Sequence, residues 1–329
     1  MQVGFNQAWF KNDYASQYLD GTYDAVEVER VFALAHQAGA KQLRLWLFEG
    51  ADFPMLEWEG KDPMGIRPDF VKNFIHTLEI ARRYDVKVYA TIFDAHSYRP
   101  DLLSRFKLKR LRALFHSDGG QKFLMRALRP FLQAIHEKGL SSQISRIDLI
   151  NEGDTVINRW GYDLGWKGAE QMICQWRGFI QSHAGFYQTP VTMSLRLHPL
   201  IFHPANLLAD NGPLKCADYI DFHSYNDKGN IYRCNWVKRY VERRVKPVIL
   251  GEFGQSFFNH EYDDHLHVAN TEAYLREAQA CGFEEALAWR LSDVRPGYNK
   301  EARYSFEAYG KPRAAYYVIQ EHNQSLELK

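Results

Sequence analysis

The sequence predicts an α/β fold, and within that class a (β/α)8 TIM barrel. Three observations carry it. Short apolar runs alternate with segments of helical periodicity, the pattern of parallel strands joined by crossover helices. Eight such runs are spread along 329 residues with no Pro/Ser linker and no internal repeat, which favours a closed barrel over an open sheet. The first run ends in Asn6-Gln7-Ala8-Trp9, without the Gly-x-Gly-x-x-Gly of an open dinucleotide-binding sheet. Residues 1–329 are therefore read as one (β/α)8 domain.

Val3–Phe5 is the first strand. A helix follows over Tyr23–Gln37, where Val26, Val28, Val31, Phe32, Leu34 and Ala35 recur at helical spacing, and Ala38-Gly39-Ala40 stops it. Lys41–Phe48 is the second strand, and Glu49-Gly50 open a long loop. Pro68–Tyr84 is a second helix with Phe70, Phe74, Ile75, Leu78 and Ile80-Ala81 inward. Val86–Phe93 is the third strand, ending in Asp94-Ala95-His96. Ser97–Gly120 is a long basic insertion. Phe123–Lys138 is a helix closed by Gly139, and Ile144–Ile150 is the fourth strand. A loop with Trp160, Tyr162 and Trp166 leads to a helix near Ala169–Ser182. Val191–Leu195 and Tyr219–Phe222 are strands five and six. A helix near Asn235–Arg244 precedes strand seven, Val248–Leu250. Glu272–Cys281 is helical, Ala286–Trp289 is strand eight, and Pro312–Glu321 is a last helix.

Bulk properties exclude several classes. Hydrophobic residues make up 46% of the chain, enough for a sizeable core and too many for a disordered one. A net charge of +1 gives no global pull toward nucleic acid or membrane. No apolar run reaches transmembrane length. Cys174, Cys216, Cys234 and Cys281 form no Cys-x-x-Cys pair and no zinc-like grouping with His, so they read as buried or idle thiols. The N-terminus lacks a basic region followed by an apolar leader. The expected location is the cytoplasm, or outside the cell with a leader already removed.

Chemistry on such a barrel sits at the C-terminal ends of the strands. The residues there are Asn6 and Trp9, Arg44 with Trp46, Asp94 and His96, Asn151 and Glu152, His223 and Tyr225, Glu252, and Trp289. Two stretches rhyme: one apolar run ends in Asn151-Glu152-Gly153-Asp154, another in Gly251-Glu252-Phe253-Gly254. Strands four and seven are three positions apart on an eight-membered ring, so both carboxylates can converge over its axis. Paired carboxylates on rigid strand ends are what glycoside hydrolysis needs. Blander readings exist for each residue alone: a structural ion pair for a glutamate, a hydrogen-bonded core imidazole for His96, a core ring for Trp289. The matched positions of the two glutamates weigh against the first.

The motifs Leu43-Arg44-Leu45-Trp46, Ile150-Asn151-Glu152, His223-Ser224-Tyr225, Gly251-Glu252-Phe253-Gly254 and Ala288-Trp289, with the tail Tyr309-Gly310-Lys311-Pro312-Arg313, carry a resemblance over the whole chain. The sequence resembles a clan A glycoside hydrolase, closest to family 5, the cellulase and mannanase family. The resemblance implies a retaining β-glycoside hydrolase that cleaves a β-linked glucan, mannan or exopolysaccharide through a covalent glycosyl-enzyme, with no metal and no cofactor. It implies Glu152 as acid/base and Glu252 as nucleophile. Asn151 would hold the sugar 2-hydroxyl, Tyr225 would hydrogen-bond the nucleophile, and Arg44 would keep it ionised. Trp289 would floor the subsite of the cleaved sugar, and His96 and His223 would join the substrate-binding set. The physical demands agree. A nucleophilic carboxylate needs a cation and a hydroxyl donor beside it, and a carboxylic acid that must hold its proton needs a drier or more negative setting.

Two rival classes use the same strand ends. A metal-dependent sugar isomerase or epimerase would take Glu152, Glu252, Asp94 and His223 as ligands. A non-catalytic sugar-binding barrel would use the surface without turnover. The expected partner is a carbohydrate, with no nucleic acid and no membrane span. The basic insertion departs from a plain cellulase. Arg105, Lys109 and Arg112 fall on one helical face there, which points to contact with an acidic glycan, against the bland alternative of a solvated face.

Overall fold

The computed structural model of the chain describes residues 1–10, 17–50, 53–98, 110, 114, 117–158, 165–196, 214–225, 231, 234, 238, 242, 246–255, 262–293, 304–308 and 310–328. Its centre is a ring of parallel strands: β1 (Gln2–Gln7), β2 (Gln42–Phe48), β3 (Lys87–Asp94), β4 (Ile144–Asn151), β5 in two pieces (Val191–Thr192 and Leu195–Arg196), β6 (Ile220–Tyr225), β7 (Val248–Gly254) and β8 (Glu285–Ala288). Each strand pairs with its sequence neighbour, and β8 returns to pair with β1. The first piece of β5 pairs with β4 and the second with β6, so the two ends of the ladder belong to one strand and the ring closes. The chain is a (β/α)8 barrel, as its alternating pattern predicts.

The strands read as unbroken apolar runs because both of their faces are covered; every residue of β2 is buried. The helices supply the outer cover. Ala25–Gln37 starts on Asp24, whose carboxylate accepts the backbone N–H groups of Val26 and Glu27 at 3.0 and 3.2 Å. It buries Val28, Val31, Phe32, Leu34 and Ala35, but Val26, expected to face inward, is exposed in the capped first turn. Pro68–Arg83 opens with proline in its first turn. Ser117–Phe123, a π-helical turn at Leu124–Leu128 and Arg129–Glu137 run on as one helix, begun earlier than expected. Gly165–Gln181 and Ala314–Glu327 complete their strands' partners. Asn323 of the last helix exchanges hydrogen bonds with the backbone of Val3 at 3.0 and 2.9 Å, which ties the end of the chain to β1.

The helix before β8 spans Asp264–Cys281, starting eight residues ahead of the expected Glu272. Its first half buries His267, Asn270 and Thr271, polar side chains that hide the apolar periodicity. The long loop after β2 holds a hairpin, Leu56–Glu59 with Asp62–Ile66, and Ser292–Asp293, Glu307–Ala308 and Lys311–Pro312 form a small sheet beyond β8. Arg105, Lys109 and Arg112 lie outside the described residues, as do Trp160, Tyr162, Tyr309 and most of Asn235–Arg244. Among the described residues no helix is long and apolar enough to cross a membrane.

The cysteines correct the expectation of idle thiols. Cys174 is bonded to Cys216 and Cys234 to Cys281, each pair with Cα atoms 5.0 Å apart. Sequence separations of 42 and 47 leave no local spacing to read, because each bridge follows from tertiary packing. Non-reducing peptide mapping should recover both cross-linked pairs. Cys174→Ser should lower the unfolding free energy by about 2–4 kcal/mol, read as a lower urea midpoint. A midpoint indifferent to reductant would show that the thiols are free.

Candidate active site

The two strand-end glutamates are placed by backbone irregularities. Glu152 follows β4 at φ 51°, in the left-handed region that costs an ordinary residue about 1–2 kcal/mol. This bend turns Asn151 and Glu152 into the same space before a short helix, Gly153–Asn158. A Cβ on Gly153 would stand 2.5 Å from Met193 Sδ, so a larger residue there would have to displace that side chain. On β7 the register against β6 shifts between Leu250 and Glu252, which sets Glu252 opposite His223. Such a bulge re-aims a side chain. A Cβ on Gly251 would collide with the carboxylate of Asp221, and the Gly251 carbonyl accepts the Asn6 side-chain amide at 3.0 Å.

Arg44 rises from β2 through the middle of the ring, fully buried. Its Nη1 donates to Glu252 Oε1 at 2.8 Å, and its Nη2 to Asp148 Oδ2 at 2.6 Å and Asn151 Oδ1 at 2.9 Å. Its Nε donates to Thr91 Oγ1 at 3.0 Å. The guanidinium stacks between Trp46 and Tyr89, 4.6 and 5.0 Å from their ring centres. Burial opposes its charge, but the negative fields of Tyr89, Asp148, Asp221 and Glu252 outweigh that and hold it protonated.

Glu252 therefore has the two partners that a nucleophile needs. The Tyr225 hydroxyl donates to its Oε2 at 2.6 Å, opposite the Arg44 bond. Burial still pushes its carboxyl above the ordinary value, and the charge of Glu152 adds to this. His223, Arg44 and the Tyr225 hydroxyl work the other way. His223 Nδ1 lies 3.3 Å from Glu152 Oε1 and 3.5 Å from Glu252 Oε2, between the two carboxylates. Burial lowers this imidazole's proton affinity, but the carboxylates outweigh it and raise His223 above its usual value. Carboxylate oxygens of Glu152 and Glu252 and a His223 nitrogen all lie within 4.8 Å of one another.

Asn151 is held at both ends, since its Nδ2 also donates to Asp94 Oδ1 at 2.9 Å. Trp289 meets Trp46 and Trp9 edge-on, with centroids 5.4 and 6.1 Å apart, so three indoles gather on the β1, β2 and β8 side. Trp9 Nε1 donates to the buried Glu49 at 2.8 Å. The expected site residues Arg44, Asn151, Glu152, His223, Tyr225 and Glu252 are thus joined by direct contacts. His96 falls on the turn Ala95–Tyr98, and its side chain lies outside the described residues.

Sequence reasoning missed Asp148, Ser194 and Arg196. Ser194 Oγ donates to Asp148 Oδ2 at 2.8 Å and accepts the Glu152 backbone N–H at 3.0 Å. Arg196, the last residue of β5, donates through Nε to Glu152 Oε2 at 2.5 Å. Glu152 is buried, the drier setting expected of it, and among the described residues this cation is bonded to it. Asp154 accepts the Arg196 backbone N–H at 2.9 Å, and its buried carboxyl is pushed up to about 8 by burial, against that hydrogen bond and with the Glu152 charge adding. Unfolded, this group ionises near its ordinary value. The folded state is therefore penalised progressively as pH rises from about 4 to about 8, and fully above that. Asp154→Asn keeps an acceptor for the Arg196 N–H and should raise Tm, by more near pH 8 than near pH 5. An equal gain at both pH values would assign the Asp154 effect to packing.

No family model and no curated protein matches the sequence. Solved structures do match. An endo-1,4-β-mannanase from Eisenia fetida aligns over 98% of this chain and 90% of its own, with TM-score 0.70 and 16% identity. A GH5_18 protein from Streptomyces cattleya, solved in complex with Manβ1-4GlcNAc, aligns over 100% of this chain and 81% of its own, with TM-score 0.75 and 15% identity. A β-1,4-mannanase from the sea hare Aplysia kurodai aligns over 94% and 95%, with TM-score 0.65 and 17% identity. The resemblance carried by the strand-end motifs thus extends to the architecture, and the chain has the (β/α)8 fold of the β-mannanases and GH5_18 proteins.

Proposed function

We propose that the protein is a retaining β-glycoside hydrolase acting by double displacement. The observation that carries the reading is the approach of a Glu152 and a Glu252 oxygen to within 4.8 Å. Retaining enzymes hold their carboxyls about 5–5.5 Å apart, and inverting ones leave room for a water at about 6.5–9.5 Å. Glu252, oriented by Arg44 and Tyr225, attacks the anomeric carbon as the bond to the leaving oxygen breaks. Glu152 gives its proton to that oxygen. It then takes a proton from water as the glycosyl-enzyme is hydrolysed. His223 and Asn151 keep the two carboxylates and the sugar hydroxyls in register, and Trp289 lies under the sugar ring. The mannanase folds favour a β-mannoside as the first substrate to test.

One observation favours a second reading: Glu152, His223 and Glu252 are spaced to hold a metal ion. Against it, each carboxylate already bonds a guanidinium, Arg196 or Arg44, and both cations would repel a divalent ion. Asp94, the fourth expected ligand, instead accepts the Asn151 amide. Activity that survives EDTA separates the two.

Proton NMR of the first-formed product should show the β-anomer, and an α-anomer would sink the mechanism. Glu252→Gln should abolish turnover of every substrate. Glu152→Ala should lose about 10²–10⁴-fold on poor leaving groups, and on a substrate whose leaving group needs no proton it should regain rate with azide, which attacks the intermediate without needing a base. Tyr225→Phe removes a hydrogen bond that lowers the Glu252 proton affinity. The acid limb of kcat/KM should move up by about one to two pH units, since a hydrogen bond to a charged group is worth ~1.5–3 kcal/mol.

A further inference from the structure

Arg196 is a cation with one of its five side-chain N–H donors committed among the described residues. Its side chain is 35% exposed, and its Nε bonds Glu152 Oε2 at 2.5 Å. A guanidinium presents two forks of donors, one through Nε and one through Nη1 and Nη2. The first fork faces Glu152. The second has no hydrogen-bond or ion-pair partner among the described residues, and the nearby Asp154 spends its acceptor on the backbone N–H of Arg196. The Nη fork is therefore uncommitted among the described residues, on a side chain 35% exposed, with a geometry that matches a carboxylate.

Its position says which part of a substrate it would meet. Trp9, Trp46 and Trp289 gather on the β1, β2 and β8 side. Arg196 ends β5, four places from β1 around the closed ring. Glu152, beside it, is the group that protonates the leaving oxygen. The open fork thus lies on the leaving-group side of the bond that breaks.

We propose that Arg196 forms a carboxylate-binding subsite, and that the preferred substrate is a β-glycoside whose leaving-group sugar is a uronic acid. This rests on the hydrolase reading above. Nε stays on Glu152 while Nη1 and Nη2 take the sugar carboxylate as a bidentate pair. The bound anion then shares the cation that bonds Glu152.

The test compares β-mannosyl-glucuronic acid with β-mannosyl-glucose on wild type, Arg196→Lys and Arg196→Gln. Wild type should favour the acidic disaccharide at least about tenfold in kcat/KM, since paired charge-assisted hydrogen bonds are worth ~1.5–3 kcal/mol. Arg196→Gln should bring the ratio to about one, and Arg196→Lys, which keeps the charge but loses the fork, should fall between. Arg196→Lys also serves if the glutamine variant fails to fold. Calorimetric titration of both sugars into Glu252→Gln reads the same preference without turnover. Equal use of both sugars by wild type, or a preference that survives in Arg196→Gln, overturns the subsite and leaves the hydrolase standing. Tighter binding of the uronic sugar that depends on Arg196, with neither sugar cleaved by wild type, supports the subsite and overturns the hydrolase. Neither binding nor cleavage overturns both.

Discussion

One buried guanidinium organises the interior of this barrel. Arg44 reaches Thr91 on β3, Asp148 and Asn151 on β4, Ser194 between the pieces of β5, and Glu252 on β7. A charge placed there without partners is prohibitive, and breaking one buried partner typically costs about 3–5 kcal/mol. The strands are therefore tied to one another through a side chain as well as through their ladders. The same requirement fixes the site, because two of the groups that satisfy Arg44, Asn151 and Glu252, are groups that a sugar would meet. Stability and preorganisation here are one network seen from its lower and upper ends.

The two glutamates stand at different distances from that network. Glu252 is bonded to Arg44 directly and aimed by a bulge whose glycine cannot be enlarged without striking Asp221. Glu152 is one step removed. Ser194 holds its backbone, His223 touches one oxygen and Arg196 the other. The nucleophile candidate sits in a rigid cage, and the acid/base candidate sits at its edge, where a ligand can change its electrostatic company.

Much of this was legible in the sequence because parallel strands buried on both faces leave apolar runs, and because both glutamates sit directly where such runs stop. Arg44 was legible as a cation inside a run, although the reach of its network was not. Asp148 was hidden inside Ile147–Ile150, where alternation marks no face when both faces are covered. Arg196 was hidden because β5 is two short pieces and the apolar signal ends one residue before it. The first half of Asp264–Cys281 was masked by buried polar side chains. The cysteine pairs depend on which helix packs against which turn, and no spacing rule reports that.

The ring has a seam. Among the described residues β5 shares two residue pairs with β4 and two with β6, whereas β3 and β4 share six. Few ladder contacts on either flank are what favours local opening of this strand. It also carries Ser194 and Arg196, so each local opening loosens the grip on Glu152 while Glu252 stays in its cage. The Cys174–Cys216 bridge joins the helix before β5 to the turn at Leu214–Cys216, closing a covalent loop that contains this strand. The cross-link acts as a hoop over this stave, so that reducing it would loosen the hold of Ser194 and Arg196 on Glu152 before it undid the rest of the ring.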